Sequence, residues 1–128
     1  MNKKDFTEQL RERTKNFALR VIALYKALPK TKEAEVLGNQ LLRSATSVAA
    51  NYRAVCRARS KAEYFSKLSI VVEEADESLF WLELFIEVDI FPPSRLYPLK
   101  EEATQILAII ATARKNTHVK NKKVNERR

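Results

Sequence analysis

The chain has 128 residues, enough for one hydrophobic core, and its single glycine and four prolines supply almost none of the turn chemistry that a many-stranded sandwich or barrel needs. Gly38 stands alone, so neither a phosphate-cradling P-loop nor a dinucleotide fingerprint can be written. One cysteine, Cys56, and one histidine, His118, exclude an intramolecular disulfide and a Cys/His zinc site.

The formal net charge of +8 is distributed in blocks. Residues 1–61 hold 14 Lys/Arg against 5 Asp/Glu, residues 62–113 hold 3 against 10, and residues 114–128 hold 7 against 1. Such alternation implies that the first block's charge is answered by the second, within the fold or between subunits. No stretch reaches the roughly 18 apolar residues of a membrane span, and MNKKDFTEQL has no apolar run to make a signal peptide. A cytoplasmic protein is expected, with Cys56 a small buried hydrophobe in a reducing compartment.

In chain order, Leu10, Phe17 and Leu24 recur every seven residues, with Val21 and Leu28 completing the three-four step of an amphipathic helix that begins near Phe6 and is ended by Pro29. Thr31 is placed to cap a second helix with Glu33 and Glu35 in its first turn and Leu37, Leu41, Ala45, Val48, Tyr52 and Val55 on its apolar face. Small neighbours on that helix, Gly38, Ser44, Ser47, Ala49 and Ala50, allow a close helix approach. Ser60 and Glu63 spell a capping box for a third helix, whose stripe runs Phe65, Leu68, Val72, Ala75, Leu79, Leu82, Ile86. Pro92 and Pro93 stop it. A fourth helix carries Leu99, Ala103, Ile106, Ile110 and Ala113, with Pro98 expected in its first turn, where a missing amide proton costs little.

Four such helices on short links predict an all-α fold, an up-down-up-down four-helix bundle over residues 1–114. The remainder, residues 115–128, is too poor in large apolar groups to offset its ordering entropy and is expected to be a disordered, flexible basic tail. On the third helix Tyr64, Val71, Phe80, Trp81, Leu84, Phe85 and Val88 exceed what one interior stripe uses. Because a monomer seldom leaves a contiguous aromatic patch wet, a homo-oligomer interface centred on Phe80, Trp81, Leu84 and Phe85 is expected, the alternative being a wide core stripe against the fourth helix.

No catalytic constellation can be assembled. The pairs Glu73/Glu77 and Glu83/Glu87 share helix faces, but a di-iron bundle also needs Glu-x-x-His motifs, which are absent, and the serines have no core histidine or glycine-bearing elbow beside them. The reading is a protein with no catalytic residue, no metal, no cofactor and no small-molecule substrate. The basic positions are more suggestive. Arg53 and Arg57 lie four apart, with Arg59 and Lys61 at the corner that follows, and Tyr52 and Tyr64 are close by. Together with Lys120, Lys122, Lys123, Arg127 and Arg128 of the tail they form a candidate surface for RNA or DNA, cations gripping phosphates and an aromatic stacking a base. Arg43, by contrast, is expected to pair with Asp76 and Glu77, and Arg57 to lie near Glu63.

The segment LLRSATSVAANYRAVCRARSKAEYFSKLSIVVEEADESLFWLELF, residues 41–85, resembles the signature region of the 23S rRNA intervening-sequence proteins. The likeness reaches the first helix through FALRVIALYKALPK and spans roughly residues 6–113, leaving the tail outside. On the matching positions it covers Arg43, Ser44, Ser47, Asn51, Ser60, Phe65, Leu68, Glu77 and Trp81, while Ala54 stands where many members carry an acid. The resemblance implies a four-helix bundle assembled into a ring, characteristically a pentamer, and supplies no catalytic residue. At the level of fold alone it is also similar to the accessory protein of diversity-generating retroelements, which implies an alternative role as a protein-interaction scaffold beside a reverse transcriptase, with no direct nucleic-acid role.

Overall fold

A computed structural model describes residues 2–117 and shows four antiparallel helices in up-down-up-down order: α1 (Lys3–Lys26), α2 (Lys32–Val55), α3 (Lys61–Glu87) and α4 (Pro93–Lys115). Three of the four starts are capped by a side chain. Asn2 accepts from the Asp5 amide at 2.9 Å, Thr31 from Ala34 at 3.3 Å and Ser60 from Glu63 at 3.0 Å, each satisfying a donor that a helix start leaves unpaired. The capping box at α3 is a variant. Instead of returning to the Ser60 amide, the Glu63 carboxylate accepts from the Arg59 amide at 3.3 Å.

Three prolines play roles other than those expected. Pro92 and Pro93 open α4 rather than close α3, which ends at Glu87 in a turn whose Asp89 takes a positive φ of 59°. Pro98 therefore lies in the second turn of α4 and leaves the carbonyl four residues back, on exposed Ser94, without its helical donor. At the first corner α1 ends at Lys26, three residues ahead of Pro29, and its last turn packs on Gly38 of α2. A Cβ at position 38 would overlap Leu28 Cδ1 and stand 3.3 Å from Tyr25 Cδ1, so the chain's lone glycine makes room on α2 for the end of α1 and the link that follows it.

The core is one contiguous cluster drawn from all four helices, with Phe17, Leu41, Val48, Leu68, Leu82, Phe85, Leu96, Ile106 and Ile110 essentially inaccessible to solvent. On α3 the buried line is Leu68, Val71, Ala75, Ser78, Leu82, Phe85, whereas Val72, Leu79 and Ile86 are only half-buried. Leu68, Ala75 and Leu82 of the expected stripe are core, while Val71, Ser78 and Phe85 take the places expected for Val72, Leu79 and Ile86, one residue along. The reason is that α3 is sandwiched between α2 and α4, and the small pair Ser44 and Ser78, Oγ to Oγ at 2.9 Å, marks the face turned toward α2.

Between α1 and α4 the packing is thinner than at the other seams, and polar groups bridge it. Arg13 donates to both carboxylate oxygens of Glu102, at 2.9 and 2.8 Å, and to Gln105 Oε1 at 2.6 Å. The Arg13 hydrogen bonds hold the Glu102 carboxyl below the ordinary carboxylate range and raise Arg13 in turn. At the last turn of α4, the Arg114 guanidinium stacks 4.4 Å over the Phe65 ring while its Nε donates to Ser69 Oγ at 2.6 Å, pinning the helix end to α3.

Candidate nucleic-acid interface

Up-down-up-down order brings the starts of α1 and α3 and the ends of α2 and α4 to one end of the bundle. Residues 2–11, 44–72 and 105–117, which make up that end, carry 10 Lys/Arg against 3 Asp/Glu, whereas residues 12–43 and 73–104 at the other end carry 9 against 12. The blocks of charge read along the chain are therefore resolved by the fold into a basic end and a mildly acidic one.

The four cations around the second corner are not one cluster. Arg59 and Lys61 line an open hollow of about 560 Å³ together with Lys3, Ser60, Tyr64 and Asn116. Arg53 instead lines a groove of about 520 Å³ between α1 and α2, with Arg11 and Lys15 on the opposite wall, Glu12 beside them and Ala49 and Ala50 among its small lining residues. Arg57 is exposed just past the end of α2. Among the described residues Arg53, Arg57 and Lys61 make no ion pair, while Arg59 is loosely held by Glu63, the nitrogen 3.4 Å from the carboxylate. The contact expected between Arg57 and Glu63 is thus made by Arg59.

Of the two tyrosines, only Tyr64 reaches the hollow. Tyr52 is 4% exposed, and burial pushes its hydroxyl far above the ordinary phenol range, with Cys56 and Thr7 as neighbours, so it cannot stack a base. Burial also raises the Cys56 thiol and the Tyr64 hydroxyl. Lys3 and Arg11 were missed in the sequence because they lie roughly 45 to 60 residues from the corner, although the alternating helix order alone would have carried them there. Arg43 is tied to α3 as expected of a structural cation, but through Glu74, at 3.1 Å, and Glu77; Asp76 points to solvent. His118, Lys120, Lys122, Lys123, Arg127 and Arg128 lie outside the described residues, as does almost all of the segment expected to be a flexible tail.

The apolar patch on α3 needs one correction. Phe85 is fully buried in the core, and Val71 with it, because the true core line of α3 runs through both, so neither belongs to an exposed surface. Phe80 remains 49% exposed, its ring edge-on to Trp81 with centroids 5.0 Å apart, and Leu84 is half-buried beside them. Trp81 Nε1 is buried without an acceptor among the described residues. Among those residues no three His, Cys, Asp or Glu side chains converge as metal ligands would, and no helix is long and apolar enough to cross a membrane.

No curated protein matches the sequence significantly. A solved structure of a protein of unknown function from the S23 ribosomal protein family of Bacteroides thetaiotaomicron superposes with a TM-score of 0.79 at 31% identity, covering 86% of this chain and 98% of its own. The family model for the 23S rRNA-intervening sequence protein matches residues 7–112, which takes in all but the outermost turns of the bundle. With sequence family and architecture in agreement, the chain belongs to the 23S rRNA-intervening sequence protein family.

Proposed function

We propose that this protein is a non-enzymatic, homo-oligomeric bundle that binds structured RNA or another nucleic acid through its basic end, with Arg53, Arg57, Arg59 and Lys61 supplying phosphate contacts and Lys3 and Arg11 extending the same surface. The observation that carries the reading is the gathering of 10 cations against 3 anions at one end of the bundle, where three of the four corner cations have no acidic partner among the described residues. A cation already answered by a carboxylate gains little from a phosphate; an unanswered one releases a counterion from the nucleic acid when it binds. The family's printed name, tied to 23S rRNA, agrees with an RNA ligand.

Titrating the full chain with a stem-loop RNA over a range of salt tests this. Four neutralised phosphates give a slope of log K against log salt of roughly −3 to −4, and an affinity that stays flat with salt overturns the reading. A second reading, a scaffold that docks a protein partner, is favoured by the half-exposed Phe80 beside Trp81 and Leu84. It predicts no retention of RNA by the full chain at low salt.

A further inference from the structure

We propose that copies of this chain join head to tail, the acidic outer face of α3 around Phe80 seating on the basic outer face of α1 around Leu19 of the next copy; this rests on the homo-oligomer reading above and specifies its contact. Two exposed apolar side chains mark the faces, Phe80 at 49% and Leu19 at 53% exposure. Around Phe80, at helical spacing on the side away from the core line, stand Glu73, Asp76, Glu83 and Glu87, of which only Glu83 has a basic neighbour among the described residues, Lys100 at 4.0 Å. Around Leu19 stand exposed Lys15, Ala23 and Lys26, with Glu12 at the margin nearer the basic end and exposed Arg20 on the flank toward α4.

The two faces lie at matching heights. Lys3 and Lys61, the first residues of α1 and α3, line the same hollow, so both helices start at one level. At 1.5 Å per residue Leu19 then lies about 24 Å and Phe80 about 28 Å from that level. In a four-membered bundle α1 and α3 are diagonal, so the faces look in opposite directions and one copy can offer both at once. A two-fold contact of α3 on α3 is disfavoured by the same charges, because it sets four carboxylates against their own images. Only a contact between unlike faces brings the carboxylates to lysines and covers both apolar side chains.

Sedimentation velocity on the full chain with charge-reversed variants tests the pairing. Glu73→Lys/Asp76→Lys/Glu83→Lys on α3, or Lys15→Glu/Lys26→Glu on α1, each weakens self-association by about tenfold or more. Mixing the two variants restores association in alternating, even-numbered or open assemblies, since the reversed α3 of one meets the reversed α1 of the other, and a chain carrying both sets of changes assembles alone as the parent does. All these positions are at least half-open to solvent or at a surface margin, and circular dichroism checks each fold; Leu19→Gln and Phe80→Gln, without charge change, weaken assembly as well. The proposal is overturned if the α1 reversal leaves assembly intact, whether or not it lowers RNA affinity, or if the mixture stays dissociated. A monomeric wild-type chain sinks the homo-oligomer reading itself, an outcome distinct from an oligomer indifferent to α1.

Discussion

At the end of the bundle where α2 hands over to α3, the exposed surface is cationic, and the aromatic Tyr52 is drawn inside. Toward the opposite end the exposed surface carries Leu19, Val36, Phe80, Val88 and Tyr97 together with the carboxylates of α3. Both halves are built from the same four helices and share one continuous core, so packing does not distinguish them. What distinguishes them is which side chains were left over once the core was filled. The leftovers at the basic end suit a polyanion, and those at the acidic end suit another protein surface. Phe6, 44% exposed at the basic end, is the exception, lining a shallow apolar groove with Ile109 and Ala113.

The sharpest way to break this division is to exchange neighbouring aromatics on α3. Phe85→Ala removes a side chain of no exposure and should cost about 3–5 kcal/mol in chemical denaturation. Phe80→Ala, five residues away on another side of the helix, should cost less than about 1 kcal/mol, because half of that ring is already in water. Equal costs would mean that α3 is turned otherwise than described.

Next in size is the effect on RNA. Reversing Arg53, Arg57, Arg59 and Lys61 to glutamate should lower affinity for a stem-loop RNA by about 100-fold or more at low salt, read by fluorescence anisotropy. Changing Glu73, Asp76 and Glu87 to glutamine should leave that affinity unchanged or raise it. If the acidic-end changes weaken RNA binding as much as the basic-end ones, the two halves do not divide the work.

Most of the fold was legible because helix periodicity, caps and prolines speak locally. Thr31 and Ser60 announce α2 and α3 without any knowledge of what they pack against. Half of the core line of α3 was not legible, since apolar side chains flank it on both sides. Which of Val71 or Val72, or of Phe85 or Ile86, points inward depends on having α2 on one side and α4 on the other. The candidate site was half legible for a similar reason. The corner cations adjoin one another in sequence, whereas Lys3 and Arg11 reach the same end only through the chain's return.

Two smaller effects concern polar bridges, one at the middle seam and one at the basic end. Arg13→Ala should cost about 1 kcal/mol at neutral pH, the value of a partly screened bidentate pair. Because the Glu102 carboxyl is held below its unfolded value, the pair's contribution is complete above the unfolded carboxylate pKa of about 4.3 and is lost as pH falls through the folded one. Urea denaturation at neutral and acid pH should therefore show a smaller acid-side loss in Arg13→Ala than in the parent. Smallest of all is Arg59→Ala, whose guanidinium side chain is 87% exposed; it should change stability by less than about 0.5 kcal/mol while still lowering RNA affinity.

The separation of charge along the bundle also governs how the molecule travels before it touches anything. A rod that is cationic at one tip and carries its carboxylates toward the other has a permanent electric dipole along its length. In the field of a polyanion such a rod is turned as it diffuses, so productive encounters arrive tip first, and dilute electrolyte widens the range over which that torque is felt.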